Sequence, residues 1–339
     1  MATVNRKSRF VAALAGAVVS VSVLAHHSPA QFDQSNVMTL NATVTKFEWM
    51  NPHVFIHIEV ISEGGATESW QVEADGASPL IPRGWSSSSL KPGDRITLEA
   101  NPASNPARRM LLGRSITKED GTVLAPRSVL TASTPSVVAA EGLAGVWLPR
   151  GEGFAEFARQ TNSNEWSLTS SAERQRNAYD GVSTPQVDCV PVSAPTIMLQ
   201  PVHTEIIVSG DRMLIRRDWM NVERVVYMDG RGHPENGERT IQGHTIGRWE
   251  GEALIMDTAL FKEHILGTNA RVPSGLRKHL VERLFLSADR KSLNYEFSVE
   301  DPEHLLEPVT GKASWDFRPD LMPSGLPCNL DSARRPLVD

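Results

Sequence analysis

Between residues 203 and 317 the chain runs through eight short β-prone segments separated largely by hairpin-type turns, and this pattern constrains the fold more than any other feature. The predicted strands are 203–208, 212–219, 222–228, 243–249, 252–258, 277–287, 293–300 and 309–317. Ser209-Gly210-Asp211, Met220-Asn221, Glu250-Gly251 and Ala288-Asp289-Arg290 supply the turn chemistry between them. Eight strands on short turns match an up-and-down antiparallel barrel, lipocalin-like in layout and able to enclose one small ligand. A sandwich or an open sheet is the alternative. The 22 Pro and 24 Gly favour strands and turns over long helices throughout the chain.

Residues 37–127 read as a smaller β unit. Val54, Ile56, Ile58 and Val60 alternate with His53, Phe55, His57 and Glu59, the period of a half-buried strand. Further strands are expected at 37–44, 69–73, 95–99 and 110–118, with a helical turn at 77–83 and the turn Leu90-Lys91-Pro92-Gly93-Asp94. About five strands and one short helix suggest a small OB-like barrel. The expected organisation is therefore a leader at 1–25, the small barrel at 26–127 and a Ser/Thr/Ala/Val-rich linker at 128–141. A mixed connecting region at 142–200 and the larger barrel at 201–339 complete it. Ser170 and Glu173 have capping-box spacing and predict a short helix over 170–179.

The leader reading rests on Arg6, Lys7 and Arg9, followed by an uncharged run to Ala25 that is too short for a comfortable span. Val23 and Ala25 occupy the positions a signal peptidase reads, so the mature chain is expected to start at His26 and to be periplasmic or secreted. No later stretch is apolar for long enough to predict a membrane span. The chain has 34 basic and 40 acidic residues, a net charge of −6, and cleavage removes three basic residues to leave −9. That balance argues against nucleic acid as a partner. Cys189 and Cys328 are the two cysteines, and in an oxidising compartment a disulfide is the simplest pairing; a catalytic or metal-binding thiol is the rival reading.

Two stretches carry resemblances. His26-His27-Ser28, Phe32-Asp33, Glu48-Trp49, Asn51-Pro52-His53 and Leu90-Lys91-Pro92-Gly93-Asp94 resemble an exported bacterial domain family of unknown function, over roughly residues 26–125. The run from Arg224 to Arg231 with His233-Pro234, then Gly243-His244-Thr245-Ile246-Gly247-Arg248-Trp249-Glu250-Gly251, with Asp257-Thr258 and Asp301-Pro302, resembles a set of uncharacterised exported bacterial proteins. Both resemblances imply export and unit limits, and neither implies a reaction.

The residues that could carry chemistry fall into two groups. A mature amino terminus at His26 would offer Cu(II) an amine and an imidazole, and His53 beside Pro52 could add a third nitrogen of the kind copper prefers. The plainer reading makes His26 a polar chain end and His53 a sheet-face residue. In the larger unit, Asp229 and His233 follow one strand while His244 and Asp257 lie on a neighbouring hairpin, an arrangement able to perform acid–base catalysis at a barrel mouth. Tyr227 and Trp249 are the aromatic candidates for ligand contact, or else barrel-wall residues. The plainer reading makes Asp229-Gly230 and Glu250-Gly251 simple turns. His279 and Glu282, three apart in a strand, are expected on opposite faces.

Phosphate loops, dinucleotide fingerprints, nucleophile elbows, His-Glu-x-x-His and Cys-x-x-Cys are absent from the sequence. Two functions remain: a periplasmic binding or accessory protein for a small apolar or mixed-polarity molecule, with copper at the mature terminus, or a cofactor-independent lyase, isomerase or hydrolase using a His/Asp pair.

Overall fold

Strand periodicity in the first unit sorts one face inward. In β2 (His53–Ile61) the side chains of Val54, Ile56, Ile58 and Val60 are buried with Val44, Val72, Leu98 and Ile116 from neighbouring strands. The computed structural model describes residues 31–127, 137–149, 163–179, 184–269 and 271–335. Within them, β1 (Met38–Glu48), β2, β3 (Thr67–Asp75), β4 (Arg95–Pro102) and β5 (Met110–Lys118) close a barrel, and the two-residue β6 (Val123–Leu124) pairs with β5. β1 pairs with both β2 and β4, and β3 with β5 in parallel, which is OB-like connectivity. The expected helical turn is α1 (Ala77–Leu80) followed by a 3-10 turn at Ile81–Arg83, and it links β3 to β4. Gly76 ahead of α1 has no room for a side chain, since a Cβ there would stand 2.5 Å from the Pro52 carbonyl oxygen.

The second unit is a closed barrel of nine strands among the described residues. Eight correspond to the strands expected between 203 and 317: β8 (Thr204–Ser209), β9 (Arg212–Arg217), β10 (Val222–Tyr227), β11 (His244–Glu250), β12 (Ala253–Ala259), β13 (His279–Leu286), β14 (Ser292–Glu300) and β15 (Val309–Phe317). The ninth is β7 (Gly145–Pro149), from the stretch expected to connect the units, and it joins β15 to β8. One seam departs from the expected antiparallel pattern. β10 and β11 run parallel and share only Val226↔Thr245 and Tyr227↔Ile246, because residues 228–243 carry the chain back to the starting end before β11 begins. The predicted helix is present as α2 (Ser170–Ala178), with Thr169 as its cap, accepting from the Ala172 amide.

Side chains fill the barrel interior. Trp147, Trp315 and Tyr295 are fully buried, and Tyr295 stacks on Trp315 at 5.3 Å. Three charged residues join them. Arg224 grips Glu282 bidentately (Nη1–Oε1 2.8 Å, Nη2–Oε2 2.5 Å), and the Tyr295 hydroxyl donates to Glu282 Oε1 at 2.8 Å. Arg217 donates to the Thr204 hydroxyl and the Gln200 carbonyl. A buried ion pair persists only when its remaining hydrogen-bonding capacity is met, and Tyr295 and Thr258 provide much of it.

After β15 the chain turns back as a strap across the first barrel. Cys328 is disulfide-bonded to Cys189, as the cysteine count suggests, with Cα atoms 5.8 Å apart. Asn51 donates from Nδ2 to Ser324 Oγ (3.0 Å) and the Leu326 carbonyl (3.2 Å), and its own carbonyl accepts from the Asn329 amide at 2.8 Å. α3 (Leu330–Arg334) places Ser332 where its hydroxyl serves both the amide and the carbonyl of His53. Asp218 from the second barrel accepts from the Ser324 amide and hydroxyl, each at 2.7 Å. The strap explains why β2 is buried on both faces at its start: Arg335 lies over the Phe55 ring at 4.3 Å.

Candidate functional site

The alternation in β11, β12 and β13 turns Thr245, Thr258 and Leu280 into the barrel and leaves His244, Asp257 and His279 on its outer wall. Asp257 lies opposite Ile246 on one side and Val281 on the other, so His244 and His279 are its diagonal neighbours across two strand pairs. The return connection lays His233 over them. It enters through the turn Asp229-Gly230-Arg231, in which Arg231 forks the Asp229 carboxylate and Gly230 takes φ 77°. It leaves through Gly243 at φ 72°, where a Cβ would stand 2.7 Å from the Ala259 carbonyl oxygen.

The result is a continuous hydrogen-bonded chain. Asp257 Oδ1 receives His279 Nε2 at 2.8 Å and His233 Nε2 at 3.1 Å, and His233 Nδ1 meets His244 Nδ1 at 2.9 Å. A carboxylate only accepts, so both His233 and His279 carry a proton on Nε2. With His233 neutral, its bare Nδ1 accepts from His244 Nδ1–H and leaves His244 Nε2 as a free lone pair. Burial works against the Asp257 charge, but the hydrogen bonds from His233 and His279 outweigh it and hold the carboxyl below its usual value. Burial is the largest of the causes that push His244 below the ordinary imidazole value, and the Arg231 charge acts in the same direction. The His244 ring stacks on Tyr227 with centroids 5.0 Å apart.

His244 and Tyr227 also line a cleft of about 330 Å³ where the short β10–β11 seam stays open. Glu223, Val225 and Tyr227 form one wall, and Thr240, Gln242 and Gly243 belong to the other. The site therefore lies in the barrel wall, not inside the barrel.

Of the residues expected from the sequence, the structure gathers His233, His244, Asp257 and Tyr227. Asp229 stands outside the hydrogen-bonded chain, held by Arg231, whose hydrogen bond draws its carboxyl down to about 2. Trp249 is 52% exposed and lies five residues beyond His244 along β11, roughly 16 Å away at about 3.3 Å per residue, so it does not line the cleft. His279 joins the site although the sequence weighed it only against Glu282, which does point the other way, into the barrel. The pairing of Arg224 with Glu282 went unforeseen. Their signal was available, since a charge interrupts the inward series Val222-Arg224-Val226 and Leu280-Glu282-Leu284.

His26 lies outside the described residues. His53 is buried, with Nδ1 3.1 Å from Glu73 Oε1. A tight group of donor side chains, Asp301, Glu303 and His304, occurs after β14. Its oxygens are engaged already: Asp301 Oδ2 accepts from the Gly275 amide and contacts His304 Nδ1, and Glu303 pairs with Arg277. Among the described residues no helix is long and apolar enough to cross a membrane.

Residues 15–111 match the model of a family of unknown function (DUF6152), so the match covers most of the first barrel and stops before the second. No curated protein matches the chain.

Proposed function

We propose that the second barrel is the acid–base catalytic unit of an exported protein, with His244 as general base toward a substrate held in the seam cleft. The observation that carries this reading is the unbroken chain from Asp257 through His233 to His244, ending on a residue of the cleft wall. When His244 Nε2 takes a proton, the charge formed on its ring is met by the His233 lone pair and, beyond it, by the Asp257 carboxylate. His279 fixes the other side of that carboxylate and so the orientation of the whole chain. The lowered His244 value keeps the ring unprotonated near pH 7, the state a base needs. Export is supported by the leader-like segment 1–25 and by the Cys189–Cys328 bond.

Hydrolysis of p-nitrophenyl acetate tests the reading without knowledge of the natural substrate. Water attacks the ester carbonyl, its proton passes to His244 Nε2 and from there to solvent, and the acyl C–O bond breaks to release p-nitrophenolate and acetate. The rate should follow the deprotonation of one group with an apparent pKa below 6.5, and His244→Ala should lower it by about a hundredfold. An unchanged rate in folded His244→Ala would overturn the proposal.

A further inference from the structure

The cleft beside His244 has few side-chain donors free to meet a ligand. Glu223 and Glu238, as carboxylates, only accept, and most donors of its walls are committed within the protein. Arg224 grips Glu282, Thr240 gives its hydroxyl to the Gly243 carbonyl at 3.0 Å, and Gln242 gives its amide nitrogen to the Val192 carbonyl at 2.8 Å. The Thr245 hydroxyl shares a bond with Thr258 at 3.0 Å inside the barrel, and His244 commits Nδ1 to His233. Tyr227 is the exception. Its half-buried side chain lines the cleft, and its hydroxyl has no hydrogen-bond partner among the described residues.

The barrel wall fixes the ring that carries this hydroxyl. Arg212 is the ladder partner of Tyr227 on β9, and its guanidinium carbon stands 5.4 Å from the ring centre. Arg231, brought back by the turn after β10, stands 4.3 Å from that centre. The His244 ring lies 20° from the Tyr227 plane with centres 5.0 Å apart, so phenol and imidazole share one wall of the cleft. Two guanidinium charges at the ring also favour negative charge developing close to it. A base alone leaves the charge that forms on a carbonyl oxygen without a partner, and donors placed for that oxygen commonly supply the largest single part of acyl-transfer catalysis.

We infer that Tyr227 is a second catalytic residue of the cleft, its hydroxyl donating to the carbonyl oxygen of an ester or related acyl substrate as that oxygen becomes negative. The inference rests on the reading of His244 as base and adds the group that complements it. When water adds to the carbonyl carbon, the C=O electron pair moves onto oxygen, and the water proton goes to His244 Nε2. The Tyr227 O–H bonds to the new oxyanion without giving up its proton. The pair then returns, the acyl C–O bond breaks and the leaving group departs, with the phenol unchanged.

Tyr227→Phe removes one oxygen and keeps the ring that packs on His244, Arg212 and Arg231. In the full chain it should lower kcat for p-nitrophenyl acetate at least tenfold while KM stays within about threefold, the pattern of an interaction made only in the transition state. The second readout needs no turnover. p-Nitrophenyl methylphosphonate, a stable tetrahedral anion shaped like the intermediate, is titrated calorimetrically into both proteins, and Tyr227→Phe should weaken its binding at least tenfold. A smaller fall in kcat, a smaller loss of analogue binding, or no analogue binding by the parent overturns the inference. Hydrolysis lost in His244→Ala, with Tyr227→Phe like the parent in both assays, sinks this inference alone. Tyr227→Phe impaired in both assays, with His244→Ala hydrolysing at the parent rate, sinks the role of His244 alone. A parent that does not hydrolyse the ester sinks both.

Discussion

Glu282→Gln is the most informative single change in the barrel core. The carboxylate is fully buried, takes two bonds from Arg224 and one from Tyr295, and balances the guanidinium charge. Glutamine keeps the shape but presents an NH₂ to a side that already faces donors, and it leaves Arg224 charged in the interior. Breaking a buried pair in this way costs about 3–5 kcal/mol. For a unit of this size that corresponds to a fall in Tm of roughly 6–20 °C. The assay is urea and thermal unfolding followed by tryptophan fluorescence, to which Trp315, stacked on Tyr295, contributes. The partner experiment is the double variant Arg224→Met with Glu282→Leu, which removes both charges together. It should lie within about 2 kcal/mol of the parent, since well-packed apolar replacements of buried pairs are often neutral or better. A single variant that loses less than about 1 kcal/mol, or a double variant as unstable as the single, would refute the argument that charge imbalance is what matters.

Replacing both Cys189 and Cys328 by Ala opens a link across 139 residues and should lower stability by roughly 4 kcal/mol, read as a drop in melting temperature that matches the effect of reductant on the parent. Burial first, then the Lys278 charge, push His264 down to about 4. The unfolded chain therefore binds this proton more readily; the stabilisation is complete above pH 6.5 and is lost as pH falls toward 4, by on the order of 3 kcal/mol. His264→Asn should flatten that part of a stability–pH profile, and an unaltered profile would count against the assignment. Asn51→Ala removes the donor to Ser324 and Leu326, so limited proteolysis should cut the strap at 318–329 faster while the barrels stay intact. Equal cutting rates would show that the Asn51 side chain does not hold it, leaving the disulfide and the Asp218 and Ser332 contacts.

The strands were legible because their signal is local. Alternation in β2, β10 and β13 and glycine-containing turns such as Glu250-Gly251 each depend on a few neighbouring residues. The His233–His244–Asp257 group was legible as a density of polar residues, but not as a chain of contacts. Contact depends on register, and a shift of one residue between β12 and β13 would carry Asp257 away from His279. β7 was missed because five residues, Gly145–Pro149, are too few to show a period. The seam was missed for another reason. Whether residues 228–243 form a hairpin loop or a return connection depends on tertiary packing, and only the latter makes β11 parallel to β10.

The strap also sets an order of events. Residues 318–335 follow both barrels in the chain, yet they dock on Asn51, His53 and Phe55 in the first barrel and on Asp218 in the second. During synthesis each barrel can have its own strands in hand while the segment that ties the two together is still missing. Covalent closure waits until Cys328 has emerged and can find Cys189 in an oxidising space. The bond therefore records that the second barrel has been made, and a nascent chain halted short of residue 328 would lack the bond even with every strand in place.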